Sequence, residues 1–281
     1  YWAGLVEFFS MSNVAIITGA GSGFGLGLTK RLLSEKWVVY GMDISPAGLE
    51  TLKALGAHPL KVDVTSDKDV KAGVSKVIKE QGRIDLLVAN AGYGSFTAVE
   101  ETTSEQVRAI FDVNVFGVER VIKAVLPQMR LQKSGRIVST TSVVAHVSLV
   151  GLGWYSATKH AVKAMSNALR QEVKHLGIQV VTVEPGTSKT AFGAAAFNKL
   201  DNSRAIGDYD GVMRGLNKWL GGLYRISPGP DKIIKKLYRA GTTSRPRAHY
   251  PGSWDVRALK MVFYMTPAKT LDRLVLWLAK R

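Results

Sequence analysis

The chain of 281 residues contains no cysteine. This absence excludes disulfide bridges, thiolate metal sites and cysteine nucleophiles. Only five histidines are present, and no two have the HExxH spacing of a helical zinc site. We therefore expect no metal centre.

Long apolar runs are also missing, since none reaches the roughly 18 residues that a helix needs to span a bilayer. Residues 1–10 are apolar, but they lack the basic leader and small-residue cleavage site of a signal peptide. A strand is predicted soon after Met11, so we interpret residues 1–10 as an added or upstream N-terminal extension. The alternative is a surface anchor with four side chains on one helical face: Trp2, Leu5, Val6 and Phe9. We expect a cytoplasmic location, with peripheral membrane attachment as the alternative.

Acidic residues are scarce in the last third of the chain. From residue 201 onward there are 16 Lys or Arg, 6 Asp and no Glu, within a net charge of +16 for the whole sequence. Such a surplus favours an anionic partner: a membrane surface, an acidic carrier protein, nucleic acid or an anionic substrate. The alternative is that the surplus of positive charge only keeps the protein soluble. Nucleic acid is the least favoured partner because no base-reading motif is present.

Short β-branched runs alternate with longer helical stretches as far as Val183. The pattern predicts strands at 14–18, 37–42, 60–64, 84–89, 135–140 and 179–183, and helices at 23–34, 46–55, 68–80, 104–131 and 154–175. Strands alternating with helices of this length imply right-handed crossovers and a parallel sheet covered on both faces. The predicted fold is therefore a single-domain, doubly wound α/β sheet of the Rossmann type with a C-terminal helical lid and extension.

The rhythm of strands and helices breaks after Pro185. We predict a catalytic domain over residues 11–254, with a substrate lid at about 187–225, where ligands bind in open α/β sheets. Residues 255–281 are predicted to form a basic amphipathic extension. Its last helix places four side chains on one face: Leu271, Leu274, Val275 and Leu278. This face packs on its own domain or, alternatively, lies on a membrane.

A glycine-rich loop joins the first predicted strand to the first predicted helix, and residues 18–25 read TGAGSGFG. Glycines permit a tight turn and let the backbone approach a pyrophosphate at the helix N-terminus. We expect this loop to bind a dinucleotide through Gly19, Ser22, Gly23, Phe24 and Gly25. The alternative is an ordinary glycine-rich turn.

Asp43 ends the second predicted strand, 18 residues after Gly25. A carboxylate there accepts hydrogen bonds from the ribose hydroxyls of the adenosine half and repels a 2′-phosphate. No Lys or Arg occupies positions 20–29 or 44–45 to bind such a phosphate. The local charge predicts NAD(H) rather than NADP(H), unless Asp43 only caps a turn.

Tyr155 and Lys159 form the only Tyr-x-x-x-Lys pair in the chain. Four residues apart on a helix, their side chains share a face. An ammonium group favours the phenolate and lowers the pKa of a neighbouring tyrosine. Tyr155 is thereby predicted to exchange a proton with a substrate oxygen. Ser142, at the end of a strand, has a hydroxyl placed to bond a substrate carbonyl.

Taken together, these motifs resemble the short-chain dehydrogenase/reductase family over about Val14 to Thr190. The loop, Asp63-Val64, Asn90-Ala91-Gly92, Asn114, Ser142, Tyr155, Lys159 and Pro185-Gly186 follow that family's order and spacing. Two positions depart from the family pattern. Ser188 stands where an apolar residue is commoner, and Ala145 stands where glycine is frequent.

The resemblance implies a role for each matching residue. Tyr155 is the acid/base, Lys159 lowers its pKa and binds the nicotinamide ribose, and Ser142 polarises the carbonyl. Asn114, in a kinked helix, holds a water that relays protons from Lys159. The remaining implied cofactor contacts are Asp63 and Val64 at adenine, Asn90, Ala91 and Gly92 near the adenosine ribose, and Pro185, Gly186 and Thr190 at nicotinamide.

A second resemblance is to the branch of 17β-hydroxysteroid and retinol dehydrogenases. It is carried by residues 88–94 (VANAGYG), 114–117 (NVFG) and 245–251 (RPRAHYP). It implies a bulky apolar alcohol or ketone that is steroid-, retinoid- or lipid-like. Candidate pocket residues are Tyr93, Val144, His146, Leu149, Trp154, Phe192, Phe197 and Trp219. His146 is interpreted as a wall residue rather than a second base.

Two other functions stay open. One is a 3-oxoacyl thioester reductase, whose acidic carriers would suit the basic surface, although Asp43 argues against the NADP(H) that such enzymes generally use. The other is a non-catalytic dinucleotide sensor or scaffold, which has no need of Asn114, Ser142, Tyr155 and Lys159 together. The family resemblance also implies a homodimer or homotetramer packed through the helices at 104–131 and 154–175.

Overall fold

The computed structural model describes residues 12–188, 207–252 and 254–279. The predictions for residues 1–10, and those for Thr190, Phe192 and Phe197, lie outside these residues. Within the described part, seven strands form one sheet in the order β3-β2-β1-β4-β5-β6-β7, with every pair parallel. This sheet confirms the predicted doubly wound α/β fold.

The strands are short and mostly buried. They are β1 (Val14–Thr18), β2 (Val38–Asp43), β3 (His58–Lys61), β4 (Leu86–Ala89), β5 (Gly135–Thr140), β6 (Ile178–Glu184) and β7 (His249–Pro251). The strand order reverses between β1 and β4. A crevice opens at such a switch point beyond the carboxyl ends of the strands, and it is the usual ligand site of this architecture.

Helices cover both faces of the sheet. The first six described helices are α1 (Gly23–Ser34), α2 (Pro46–Ala54), α3 (Asp67–Gln81), α4 (Ser104–Phe111), α5 (Gly117–Gln132) and α6 (Gly153–Glu172). The C-terminal ones are α7 (Gly207–Ile226), α8 (Asp231–Thr242), α9 (Trp254–Met265) and α10 (Ala268–Ala279).

Two apolar cores follow from this layering, one on each face of the sheet. On one face, valines and other apolar residues of α3, α5 and α6 pack against Ile16, Leu87 and Ile137. On the other, residues of α1, α2 and α8 pack against Ile17 and Val88. Successive strand residues point to opposite faces of the sheet. A strand that is apolar throughout therefore contributes side chains to both cores.

One long helix was predicted over 104–131, and the structure divides it. Helix α4 starts with a capping box between Thr103 and Gln106 and ends at Phe111. A π-helical turn follows at Asp112–Phe116, and α5 continues from Gly117. A π-turn inside a helix often marks a functional site, and this one carries Asn114.

The C-terminal helices lie beyond the sheet. Helix α10 packs on α7, where Val275 and Ala279 join a cluster with Met213, Leu216 and Leu220. The predicted apolar face of α10 therefore packs partly on its own domain, although Leu274 stays 45% exposed. In the part of the chain that the structure describes, no helix combines the length and apolarity needed to cross a membrane.

Candidate active site

A cavity of about 360 Å³ opens at the carboxyl ends of β1, β4, β5 and β6. Helices α7 and α9 close it from above. Many of the predicted site residues line it: Gly19, Ser22, Gly23, Phe24, Asn90, Ala91, Gly92, Ser142, Val144, Leu149, Tyr155, Lys159, Pro185, Gly186 and Trp219. The fold thus brings the predicted cofactor loop and the predicted catalytic residues to one space.

The loop after β1 has the shape of an anion cradle. Gly19 and Gly23 have φ angles of +63° and +51°, which side-chain-bearing residues rarely adopt. A Cβ on Gly25 would overlap the Gly19 carbonyl, so helix α1 can start directly against the loop. The Thr18 hydroxyl accepts hydrogen bonds from the amides of Asn90 and Ala91, both at 3.0 Å. This bare backbone at a helix N-terminus fits a dinucleotide pyrophosphate.

Asp43 touches the same loop. Its carboxylate accepts hydrogen bonds from the Gly21 amide at 2.7 Å and the Ser45 amide at 2.9 Å. A Cβ on Gly21 would come within 2.9 Å of the Asp43 carboxylate, so glycine is needed for this approach. The side chain therefore shapes the loop, while its contact with an adenosine ribose stays a prediction.

Asp63 and Val64 lie apart from the main cavity. The Asp63 carboxylate accepts hydrogen bonds from the Thr65 amide at 2.9 Å and the Thr65 hydroxyl at 2.8 Å. Val64 belongs to the core beside Gly117. Their contact with adenine stays a prediction.

Tyr155 and Lys159 lie on the buried face of α6, as their spacing predicted. The Lys159 Nζ atom donates to the Thr140 carbonyl at 3.1 Å and lies 5.7 Å from the Tyr155 ring centroid. Ser142 follows β5; its hydroxyl donates to the Pro185 carbonyl at 3.5 Å and accepts from the Val144 amide at 3.3 Å.

Burial sets the ionisation of this pair. It raises the pKa of Tyr155 well above the ordinary phenol value, and a hydrogen bond with Ser142 partly opposes that rise. It lowers the pKa of the Lys159 ammonium to about 8. In this structure burial raises the pKa of Tyr155, contrary to the predicted lowering. Tyr155 is therefore protonated near neutral pH and can donate a proton. The lowered pKa of Lys159 lies closer to neutral pH than that of an ordinary lysine.

Asn114 is fully buried in the π-helical turn. Its side-chain oxygen accepts from the Tyr93 amide at 3.0 Å, and its amide group donates to the Tyr93 carbonyl at 2.9 Å and to Thr158 at 3.2 Å. A Cβ on Gly92 would come within 2.8 Å of the Asn114 oxygen. Asn114 thus ties the loop after β4 to helix α6, while its predicted water relay stays a prediction.

Three predicted pocket residues lie away from the cavity. Trp154 precedes Tyr155 on α6, and neighbours on a helix point about 100° apart, so its indole turns towards the Val99 carbonyl at 3.4 Å. Tyr93 packs beside Ile110 in a small cluster under the cavity. His146 is drawn instead to a buried carboxylate, with its Nε2 atom 3.0 Å from Glu184.

Other cavity walls come from residues that the sequence analysis did not single out. They are mostly apolar: Phe96, Val147, Leu152, Leu220, Leu223, Tyr224, Val256 and Leu259. Val256 and Leu259 belong to α9. The only sequence signal for them is their i, i+3 spacing, which places both side chains on one face of a helix. Among the described residues, no cluster of His, Asp or Glu has the grouping to hold a metal ion.

Comparison with known proteins gives a family match. The model of the family described as short chain dehydrogenase matches residues 13–201. The probable short-chain type dehydrogenase/reductase VdlC of Helicobacter pylori is 28% identical over 261 residues, covering 93% of this chain and 96% of its own. The 3-ketodihydrosphingosine reductase of Bacteroides thetaiotaomicron is 41% identical over 181 residues, covering 64% and 65%.

A solved structure extends the comparison. The 3-ketoacyl-(acyl-carrier-protein) reductase of Brucella melitensis, complexed with NADH, superposes with a TM-score of 0.70 at 25% identity. The alignment covers 86% of this chain and 97% of that one. Most of the fold therefore has a counterpart in a reductase of known structure.

Proposed function

The chain belongs to the short-chain dehydrogenase family and is an oxidoreductase of CH–OH groups with a nicotinamide dinucleotide; from that premise we propose that it uses NAD(H) on a hydrophobic, lipid-like alcohol or ketone. One observation carries the proposal: Ser142, Tyr155 and Lys159 meet in a cavity whose other walls are mainly apolar. The substrate class includes steroid- and retinoid-like molecules.

The preference for NAD(H) rests on Asp43. Its carboxylate is fixed by the amides of Gly21 and Ser45 at the end of β2, where it would repel a 2′-phosphate. The cradle of Gly19, Ser22 and Gly23 would hold the pyrophosphate. The nicotinamide, when bound, supplies or accepts the hydride.

The residues of the chain handle the proton. In carbonyl reduction, the Tyr155 hydroxyl gives its proton to the substrate oxygen while the Ser142 hydroxyl bonds the same oxygen as negative charge develops. The Lys159 ammonium stabilises the resulting phenolate. Alcohol oxidation runs the same transfer in reverse, with the Tyr155 oxygen as the base.

The runner-up is a 3-oxoacyl thioester reductase. Two observations favour it: the basic C-terminal third and the likeness to the Brucella reductase, which binds NADH. Since that 3-ketoacyl reductase was crystallised with NADH, Asp43 does not by itself decide between the two substrates.

A turnover panel separates the two substrates. Purified protein is assayed with NADH and NADPH against long-chain 2-ketones, ketosteroids, retinal and acetoacetyl thioesters. The proposal expects the highest kcat/KM with NADH and an apolar ketone or aldehyde. Faster reduction of thioesters would support the runner-up. Turnover of nothing in the panel, with tight NADH binding, would support a sensor.

We also propose that the protein acts as a homo-oligomer packed through α4, α5 and α6. Phe116, in the turn between α4 and α5, is 51% exposed and lines a groove with Phe111 and Trp154, and Leu131 is exposed near the end of α5. Phe116→Asp is expected to reduce the molar mass measured by light scattering. Leu55→Asp, on an exposed site elsewhere, is the control.

The outer face of α9 and α10 is proposed to dock on an anionic bilayer. Met261, Tyr264 and Met265 are exposed at i, i+3 and i+4 on α9, and Leu274 and Trp277 are exposed on α10. From position 254 onward there are 6 Lys or Arg and 2 Asp. An apolar stripe bordered by cations is typical of helices that lie in a lipid headgroup layer.

Vesicle sedimentation tests this docking surface. Vesicles with phosphatidylserine should retain the protein at low salt and release it at high salt, and Met265→Glu should abolish binding. No binding by wild type would refute the proposal. Loss of oligomerisation in Met265→Glu would identify a second copy of the chain as the occupant instead.

A further inference from the structure

Glu184 is a buried carboxylate that the proposed reaction does not use. It is the last residue of β6 and comes directly before Pro185 and Gly186, which line the cavity. Its side chain is 0% exposed. A carboxylate in such a place is strongly unfavourable unless cations and hydrogen-bond donors surround it. Its partners therefore indicate what it is for.

The first partner comes from α9. Lys260 Nζ lies 3.1 Å from one carboxylate oxygen of Glu184, across 76 residues of sequence. The other oxygen lies 3.0 Å from His146 Nε2 and 3.5 Å from His249 Nδ1. Burial alone would raise the pKa of Glu184, but the neighbouring His146 and Lys260 side chains bring it below the ordinary value.

His146 itself has two further polar neighbours. Its Nδ1 atom lies 2.8 Å from Lys163 Nζ, on the same face of α6 as Tyr155 and Lys159, and 3.2 Å from the Tyr264 hydroxyl of α9. The polar contacts described for α9 thus converge on Glu184, directly through Lys260 and indirectly through Tyr264. The carboxylate acts as an anchor point for this helix.

The anchored helix forms part of the cavity. Val256 and Leu259 line the cavity from the side of α9 that also carries Lys260. Val256 is 1% exposed, whereas Arg257 and Met261 face outward. Holding Lys260 at Glu184 therefore fixes how far Val256 and Leu259 stand from Tyr155.

We propose that Glu184 and Lys260 are positioning residues that set the substrate-size selectivity of the enzyme. Their ion pair fastens α9 to the end of β6 and so fixes the apolar wall of Val256 and Leu259. Neither residue exchanges a proton with the substrate. The proposal rests on the proposed function, because it concerns the substrate of that cavity.

Kinetics with a small and a long substrate test the pair. Wild type, Lys260→Met and Lys260→Arg are compared in oxidation of 2-butanol and 2-dodecanol with NAD. In Lys260→Met, KM for 2-dodecanol should rise about tenfold with kcat within about threefold, while KM for 2-butanol changes little. Lys260→Arg should restore most of the selectivity. Arg257→Met, an exposed cation on the same helix, should match wild type.

Hydrogen exchange gives a readout that does not depend on activity. Amides of residues 256–263 should lose protection in Lys260→Met and regain it in Lys260→Arg. If Lys260→Met does not fold, Glu184→Gln/Lys260→Met removes both charges together and leaves no unpaired buried charge. It should show the same loss of selectivity and protection.

The outcomes are separable. A folded single or double variant with the wild-type ratio of the two KM values and wild-type protection of α9 would overturn the proposal. If wild type oxidised neither alcohol and reduced no ketone, the proposed function would fail. Hydrogen exchange would then still decide whether Lys260 fastens α9.

Discussion

The floor and the roof of the cavity are built differently. On the floor, Ser142 follows a strand end, and Tyr155 and Lys159 lie on a buried helix face. Hydrogen bonds to backbone carbonyls hold Ser142 and Lys159. Among the described residues, the roof is formed by α7 and α9, whose apolar side chains line the cavity. Helix α9 is held by the Lys260–Glu184 ion pair, and α7 packs against α10. We therefore propose that the floor carries out the chemistry and the roof selects the substrate.

The floor should be intolerant of losing one oxygen. Tyr155→Phe removes the proton donor without creating a cavity, so kcat should fall about 10³-fold for small and bulky substrates alike. NADH affinity, measured by fluorescence titration, should stay within about twofold of wild type. Tyr238→Phe, outside the cavity beside Arg31, is the matched control. Near-wild-type activity in Tyr155→Phe would place the acid/base elsewhere.

Cofactor choice should depend on Asp43, which lies beside the glycine-rich loop. Asp43→Ala removes the acceptor for the Gly21 and Ser45 amides and the charge that opposes a 2′-phosphate. The ratio of NADPH to NADH dissociation constants should fall about 10- to 100-fold. Glu50→Ala, an exposed carboxylate on α2, controls for net charge. An unchanged ratio would mean that Asp43 only shapes the loop.

The pH dependence should report Lys159. Its pKa is lowered to about 8 by burial, so the ammonium is present below that pH and lost as pH rises through it. We expect kcat/KM for carbonyl reduction to fall by about tenfold above this value, because the phenolate loses its stabilising charge. Lys159→Arg keeps the charge and should move the fall to higher pH. A fall that stays near 8 in that variant would exclude Lys159 as its cause.

Substitutions that disturb the packing of the roof helices should lower stability and raise KM for bulky substrates. A Cβ on Gly215 of α7 would overlap the Ala279 backbone of α10, so Gly215→Ala should cost about 1–3 kcal/mol of stability. KM for bulky substrates should rise a few-fold at nearly constant kcat. At Gly211, one turn earlier, a Cβ meets nothing within 4 Å, and Gly211→Ala should raise the melting temperature slightly. Equal stabilisation by both variants would contradict the packing of α10 on α7.

Local sequence signals predicted the floor well. Glycines at positive φ and the four-residue spacing of Tyr155 and Lys159 are consequences of backbone geometry that the sequence carries directly. The strand pattern gave the sheet, although β3 runs over His58–Lys61 rather than 60–64. Its ladder with β2 ends where Asp43 pairs with Lys61, so the later residues leave the sheet.

The roof was less predictable because its contacts join distant parts of the chain. His146 was interpreted as a cavity wall, yet Glu184 draws it into a buried ion network. A signal existed: Glu184 ends an otherwise apolar strand, and a charge there requires partners. The cations that neighbour Glu184 are determined by the packing of α6 and α9, and no local sequence pattern predicts this packing.

The central claim is hydride transfer on this floor, and isotope transfer tests it most directly. Wild-type protein reduces a long-chain ketone in ordinary water with NADH deuterated at the transferring position of the nicotinamide. We predict one deuterium on the carbinol carbon of the product, with labelled product forming about 10³-fold more slowly in Tyr155→Phe. A product without deuterium, or one whose carbon hydrogen comes from solvent, would contradict the account.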